Sequence, residues 1–130
     1  MQIDSPIKII RSSTIPESLN IFCRGFLKQL AEHNYEVIAI SAPGEALQAI
    51  EKRENVRTIS INMKRRISPL KDLISLVQLI ICIHKERPTI VHSITPKAGL
   101  LCMIASRICK VPIRIHTFTG LVFPTAKGIK

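Results

Sequence analysis

The sequence predicts an α/β fold built on one doubly wound parallel sheet of about five strands, in the order 3-2-1-4-5. Three observations carry this. Short β-branched apolar runs alternate along the chain with segments of helical periodicity. The 130 residues suit a single domain, which hides roughly two-thirds of its unfolded surface. Hydrophobic residues make up 46% and mean hydropathy is +0.24, as expected where helices cover both faces of a parallel sheet.

The elements follow in order. Ile7-Lys8-Ile9-Ile10 is a β-branched run and predicts the first strand. Ser12-Ser13-Thr14 is a loop; Thr14 and Glu17 have capping-box spacing, and Pro16 suits a first helical turn. Leu19, Phe22, Cys23, Phe26, Leu27 and Leu30 then recur at helical spacing, so one helix is expected to about His33, with Asn34 as its stop. Val37 to Ile40 predicts the second strand. Pro43-Gly44 breaks it, and Leu47 and Ile50 mark a short helix. Val56 to Ile61 reads as a third, more exposed strand, and Met63 to Pro69 as a basic loop. Leu70 to Glu86 predicts a helix that is apolar around most of its circumference, stopped by Pro88. Thr89 to Ile94 is the fourth strand. Thr95 to Gly99 is a loop into a helix over Gly99 to Cys109, Val111 to His116 is the fifth strand, and the rest reads as loop.

Composition narrows the function. The formal charge is +10, and the basic excess falls in residues 51–130, which suits an anionic surface or ligand. Aromatics are only 4%, with no Trp, which weighs against a protein that stacks single-stranded bases. Cys23, Cys82, Cys102 and Cys109 form no C-x-x-C pair and read as reduced core thiols rather than a zinc or redox site. The N-terminus is polar after Met1, unlike a signal peptide. The longest apolar run, Leu73 to Ile83, is interrupted by Ser75 and Gln78 and is too short to span a bilayer. Neither G-x-G-x-x-G nor G-x-x-x-x-G-K-[ST] occurs, so neither familiar phosphate cradle is expected.

In a sheet of this order, ligands bind beyond the carboxyl ends of the strands, where strand order reverses between strands 1 and 4. Three loops meet there. The first offers Ser12, Ser13 and Thr14, whose hydroxyls can hold an anion or a sugar hydroxyl, or simply cap a helix. The second offers His92 at a strand end and Lys97 beside a helix start, where charge and helix dipole both attract phosphate; a solvated lysine is the plainer reading. The third offers His116, Thr117 and Gly120, with His116 able to act as a base or a hydrogen-bond donor near neutral pH. These loops hold no carboxylate to complete a triad or a metal site, and no cofactor is expected. Arg65 and Arg66 precede the apolar helix over 70–86, a pairing that suits either an anionic membrane surface or a helix buried under the sheet.

Three stretches resemble family 4 glycosyltransferases, in that family's order: Met63-x-Arg65-x-Ile67-Ser68-Pro69-Leu70-x-Asp72-Leu73, Ile90 to Leu101, and Val111 to Gly120. The first looks like the bacterial surface-polysaccharide branch. The resemblance implies a GT-B fold, two Rossmann-like domains across a cleft, of which residues 1–130 are the N-terminal, acceptor-binding domain, incomplete. The donor-binding domain, with its two glutamates seven residues apart, has no match here. The branch transfers a sugar with retention, without a metal requirement, from a nucleotide-sugar donor to an acceptor that is often lipid-linked. That implies a cytoplasmic setting at the inner membrane, with peripheral contact to an anionic surface and no nucleic-acid partner. His116 matches the family's histidine near the reacting centre, and by position Lys97 and Arg65 would meet acceptor phosphate or membrane. The family's glycine-rich first loop is here Ser12-Ser13-Thr14-Ile15-Pro16, without glycine. The isolated chain is expected to be inactive. A non-catalytic flavodoxin-like binding module is the alternative, and a basic nucleic-acid-binding domain a more distant one.

Overall fold

The computed structural model describes residues 6–63, 66 and 68–118. The elements run β1 (Lys8–Ser12), α1 (Pro16–Phe22), α2 (Phe26–Glu32), β2 (Glu36–Ser41), α3 (Glu45–Glu54), β3 (Arg57–Ser60), α4 (Pro69–Glu86), β4 (Ile90–Ile94), α5 (Pro96–Ile108) and β5 (Ile113–Thr117). The five strands form one parallel sheet in the order β3-β2-β1-β4-β5, as expected.

Alternation along the strands divides the core in two. Ile10, Ile38, Ile40 and Val91 face α4 and α5 and pack with Leu79, Ile83, Leu101 and Cys102. Val37, Ala39 and Ile94 face the other way and pack with Leu19, Leu27, Leu47 and Ile50 of α1, α2 and α3. A one-residue slip of any central strand would exchange these sets. Cys23 and Cys102 are buried core thiols and Cys82 and Cys109 are half-buried; all four are free.

Two expectations are corrected. The single helix to His33 is two helices, because Gly25 takes a left-handed conformation (φ +78°) between α1 and α2. The buried Glu54 carboxylate holds this break, accepting from the Lys28 amide at 3.1 Å and from Arg53 Nε at 2.7 Å. The capping box also does not form: Ile15 is the N-cap of α1 and makes no side-chain cap. The Thr14 hydroxyl instead accepts from the Ala98 amide at 3.1 Å and so caps α5, which begins at Pro96 rather than Gly99.

The amino ends of the strands are tied by charge. Lys8 Nζ lies 3.2 Å from Glu86 Oε1, Arg57 Nη2 lies 3.0 Å from Glu86 Oε2, and Arg57 Nη1 lies 3.2 Å from Glu36 Oε2. Lys8 also donates to the Glu86 carbonyl at 2.8 Å, satisfying one end carbonyl of α4. The Arg57 guanidinium, with Lys8 second, holds the Glu86 carboxyl below the usual range. This cluster leaves the opposite, carboxyl edge for ligand chemistry.

Candidate functional site at the carboxyl edge of the sheet

The register places Ser93 beside His116 and His92 beside Ile115 on neighbouring strands. Successive strand residues face opposite sides, so the two histidines leave the sheet on opposite faces. His116 Nδ1 lies 2.9 Å from the hydroxyl of the fully buried Ser93. Its ring packs edge-on against Phe118, with centroids 4.8 Å apart and planes at 85°. It also lies directly over Gly99 in the first turns of α5, so that a Cβ at Gly99 would fall inside the imidazole. Thus a serine, an aromatic edge and a bare helix turn hold one ring orientation. Nε2 has no partner among the described residues.

On the other face, His92 Nε2 lies 2.6 Å from the Thr117 hydroxyl. Burial, then the nearby Arg11 and His116 charges, lower its pKa from 6.5 to about 4. It is therefore a neutral imidazole at physiological pH. Arg11 itself is buried on this face. Its guanidinium lies 5.4 Å from the Phe26 ring centroid and donates from Nη2 to Cys23 Sγ at 3.2 Å. Arg11 Nε is buried without a partner, and no carboxylate pairs with the group among the described residues.

The crevice between β1 and β4 is closed by hydroxyls. Thr14 Oγ1 and Thr95 Oγ1 are 2.9 Å apart, and the Thr14 amide donates to Thr95 Oγ1 at 3.0 Å. Thr95 sits at φ +73°, ψ 146°, a conformation that costs a β-branched residue about 1–3 kcal/mol and persists only when its surroundings over-determine it. The two threonine bonds supply that determination. Ser12 is fully buried and accepts from Cys102 Sγ at 3.2 Å. Ser13 is also fully buried and donates to the Ile15 carbonyl at 2.6 Å.

Lys97 is engaged as well. Its ammonium lies 2.8 Å from Asp72 Oδ1 and donates to the Arg66 carbonyl. Asp72 Oδ2 in turn accepts from the Ser68 amide at 3.2 Å, so one carboxylate joins the first turns of α4 and α5. The Lys97 hydrogen bond holds the Asp72 carboxyl below its usual range. The Arg66 side chain is exposed. Arg65 and Gly120 lie outside the described residues.

Of the residues singled out from sequence, His116, Thr117 and His92 therefore cluster at the ends of β4 and β5. Ser12, Ser13, Thr14 and Lys97 form the frame behind them. Ser93, Thr95, Gly99 and Arg11 lie within the loops that the sequence marks, 11–14 and 92–99, but their types and spacing assign them no role. Gly99 carried a usable signal, since a glycine early in a predicted helix marks a close approach. No group of three or more His, Cys, Asp or Glu among the described residues could hold a metal ion, and no described helix is long and apolar enough to cross a membrane.

Comparison with known proteins adds three findings. The family model described as glycosyl transferase 4-like matches residues 14–130. The chain is 41% identical over 123 residues to the capsular polysaccharide biosynthesis glycosyltransferase CapM of Staphylococcus aureus, covering 95% of this chain and 31% of CapM. Over 63 residues it is 41% identical to an Escherichia coli UDP-Gal:alpha-D-GlcNAc-diphosphoundecaprenol alpha-1,3-galactosyltransferase, covering 48% of this chain and 16% of that enzyme. The chain thus spans less than a third of either curated relative. Its fold is similar to that of a glycosyltransferase from Rickettsia africae, with a TM-score of 0.71 at 19% identity, over 89% of this chain and 30% of that one.

Proposed function

Because the chain belongs to the glycosyl transferase 4-like family, we propose that it forms the acceptor-binding, N-terminal half of a GT-B sugar transferase of surface-polysaccharide biosynthesis. The acceptor is a sugar on a polyprenyl diphosphate, the donor is a nucleotide sugar held by a separate C-terminal half, and transfer retains the anomeric configuration. The acceptor class rests on the diphosphoundecaprenol substrate in the name of the galactosyltransferase relative. The reaction takes place at the cytoplasmic face of the inner membrane, where the protein is held peripherally at an anionic surface.

The observation that carries the reading is the posed His116 ring at the carboxyl edge. In the tautomer in which the Ser93 hydroxyl donates to Nδ1, the outer nitrogen carries the proton and presents an N–H to a sugar hydroxyl or to charge developing at the glycosidic oxygen. A donor pre-oriented in this way stabilises charge without reorganising during the reaction. Thr117 extends the same edge. Thr14, Thr95 and the Lys97–Asp72 pair keep the helix and loops that surround it in register.

The test is a chimera. The 130 residues alone should transfer no sugar from any nucleotide sugar, since they lack a donor half. Joined to the C-terminal half of the S. aureus CapM, they should transfer to a short-chain polyprenyl-diphosphate sugar. His116→Ala in the chimera should lower kcat by about 10²–10³, the scale of losing one oriented donor at an oxyanion site. Robust transfer by the 130 residues alone, or an H116A chimera at full rate, would refute the reading.

A further inference from the structure

Arg11 is a buried charge without a counter-ion. The residue is 8% exposed, its Nη2 donates to Cys23 Sγ, and its Nε is buried with no partner among the described residues. A thiol is a weak acceptor, and a guanidinium does not lose its proton to escape burial. Arg53 also has a buried nitrogen without a partner, but its charge meets the Glu54 carboxylate at 2.7 Å. Glu54, whose charge reaches Cys23, is thereby taken up by Arg53 and by the Lys28 amide. Burying a charge is costly unless it is paired, and at Arg11 no described carboxylate pairs it.

The charge lies where a parallel sheet accepts ligands. Arg11 on β1 is the register partner of His92 on β4, and strand order reverses between these two strands. Register partners on parallel strands share a face, here the α1–α2 face, opposite Ser93 and His116. His92 is a neutral imidazole there, so it can offer an N–H without adding charge. Its partner Thr117, at 2.6 Å, adds an exposed hydroxyl. Phe26, which lies against the guanidinium, is itself 45% exposed, so a surface side chain covers the charge on that side. Arg24 and Lys28 are exposed on the same stretch of chain and favour the approach of an anion.

We infer that Arg11, with His92 beside it, forms a subsite for a singly charged oxyanion, either the carboxylate of an acidic sugar or a phosphodiester. One unpaired guanidinium and one neutral imidazole sum to a single positive charge. A monoanion leaves the subsite neutral, whereas a phosphate dianion would leave a buried negative charge uncompensated. The planar fork of arginine matches the paired oxygens of both monoanions. Binding here is a property of this chain and does not rest on the transfer reading.

Titration of the isotope-labelled chain at pH 8 and constant ionic strength tests this, with glucuronate, dimethyl phosphate, inorganic phosphate and glucose as the probes. The Arg11 Nε–H resonance and the amides of Arg11 and His92 should shift saturably with glucuronate or dimethyl phosphate, and the tighter of the two names the source of the anion. Inorganic phosphate, mostly the dianion at this pH, should bind more weakly, and glucose should cause no shift. Arg11→Lys keeps the charge but loses the fork, and should bind the same monoanion about tenfold more weakly or worse. Arg11→Met should abolish binding and, freed of its unpaired charge, unfold at a urea concentration no lower than the parent's in buffer without oxyanions. Absence of saturable shifts with both monoanions, or binding undiminished in Arg11→Met, would overturn the inference. So would a dianion bound as tightly as either monoanion, or an Arg11→Met chain that unfolds earlier or fails to fold, since Arg11 would then be satisfied within the fold. An inactive chimera whose Arg11 resonances still respond to a monoanion would refute the transfer reading alone.

Discussion

His92 is the residue whose chemistry burial alters most clearly. Its pKa falls from 6.5 to about 4, through burial first and then the Arg11 charge. The folded state therefore binds fewer protons than the unfolded state between those two values. The sign follows: its contribution to stability is fully present above pH 6.5 and is lost as pH falls toward 4. Urea midpoints at pH 7 and pH 5 should differ in the parent and differ less in His92→Asn. An identical drop in both would show that His92 is protonated in the folded chain at pH 5. Neighbouring Arg11 escaped the sequence reading for a definite reason. A basic residue at a strand end is normally solvated, and only the three-dimensional meeting of Cys23, Phe26 and β1 buries it. His92 and His116 were legible as strand-end histidines, but their opposite faces follow from the register of β4 against β5.

At the scale of elements, α5 is the part on which the site depends. Its first turn is capped by Thr14 from another loop, tied to α4 through Lys97 and Asp72, and kept bare at Gly99 for His116. Gly99→Ala keeps the helix but puts a methyl group where the ring lies. Overpacking of this kind costs about 1–3 kcal/mol or displaces the ring. The variant should melt earlier and lose the His116–Ser93 contact, seen as a changed imidazole resonance. Unchanged melting together with an unchanged resonance would contradict the packing. The element order was readable from alternating β-branched runs and helical periodicity. The break at Gly25 was not, because apolar spacing continues through it from Leu19 to Leu30. The Thr14–Glu17 spacing misled because the capping hydroxyl served a helix more than eighty residues away.

The whole molecule separates its tasks by surface. Ion pairs of Lys8, Glu36, Arg57 and Glu86 tie the amino edge. The carboxyl edge carries the posed histidine, and the α4–α5 face carries apolar stripes among cations. The high hydropathy thus has two sources, a sheet covered on both faces at its centre and an outward apolar surface that patterning alone could not tell from a buried one. Part of the basic excess of residues 51–130, Lys71, Lys85, Arg107 and Lys110, lies on α4, α5 and the turn after α5. The most direct test of the acceptor-binding claim is titration of the isotope-labelled chain with a short-chain polyprenyl-diphosphate sugar, followed by amide and imidazole NMR shifts. Saturable shifts at Ser93, Gly99, His116 and Thr117, reduced at least tenfold in affinity by His116→Ala, are predicted. Shifts confined to the amino edge around Lys8 and Arg57, or none at any acceptor concentration, would contradict it.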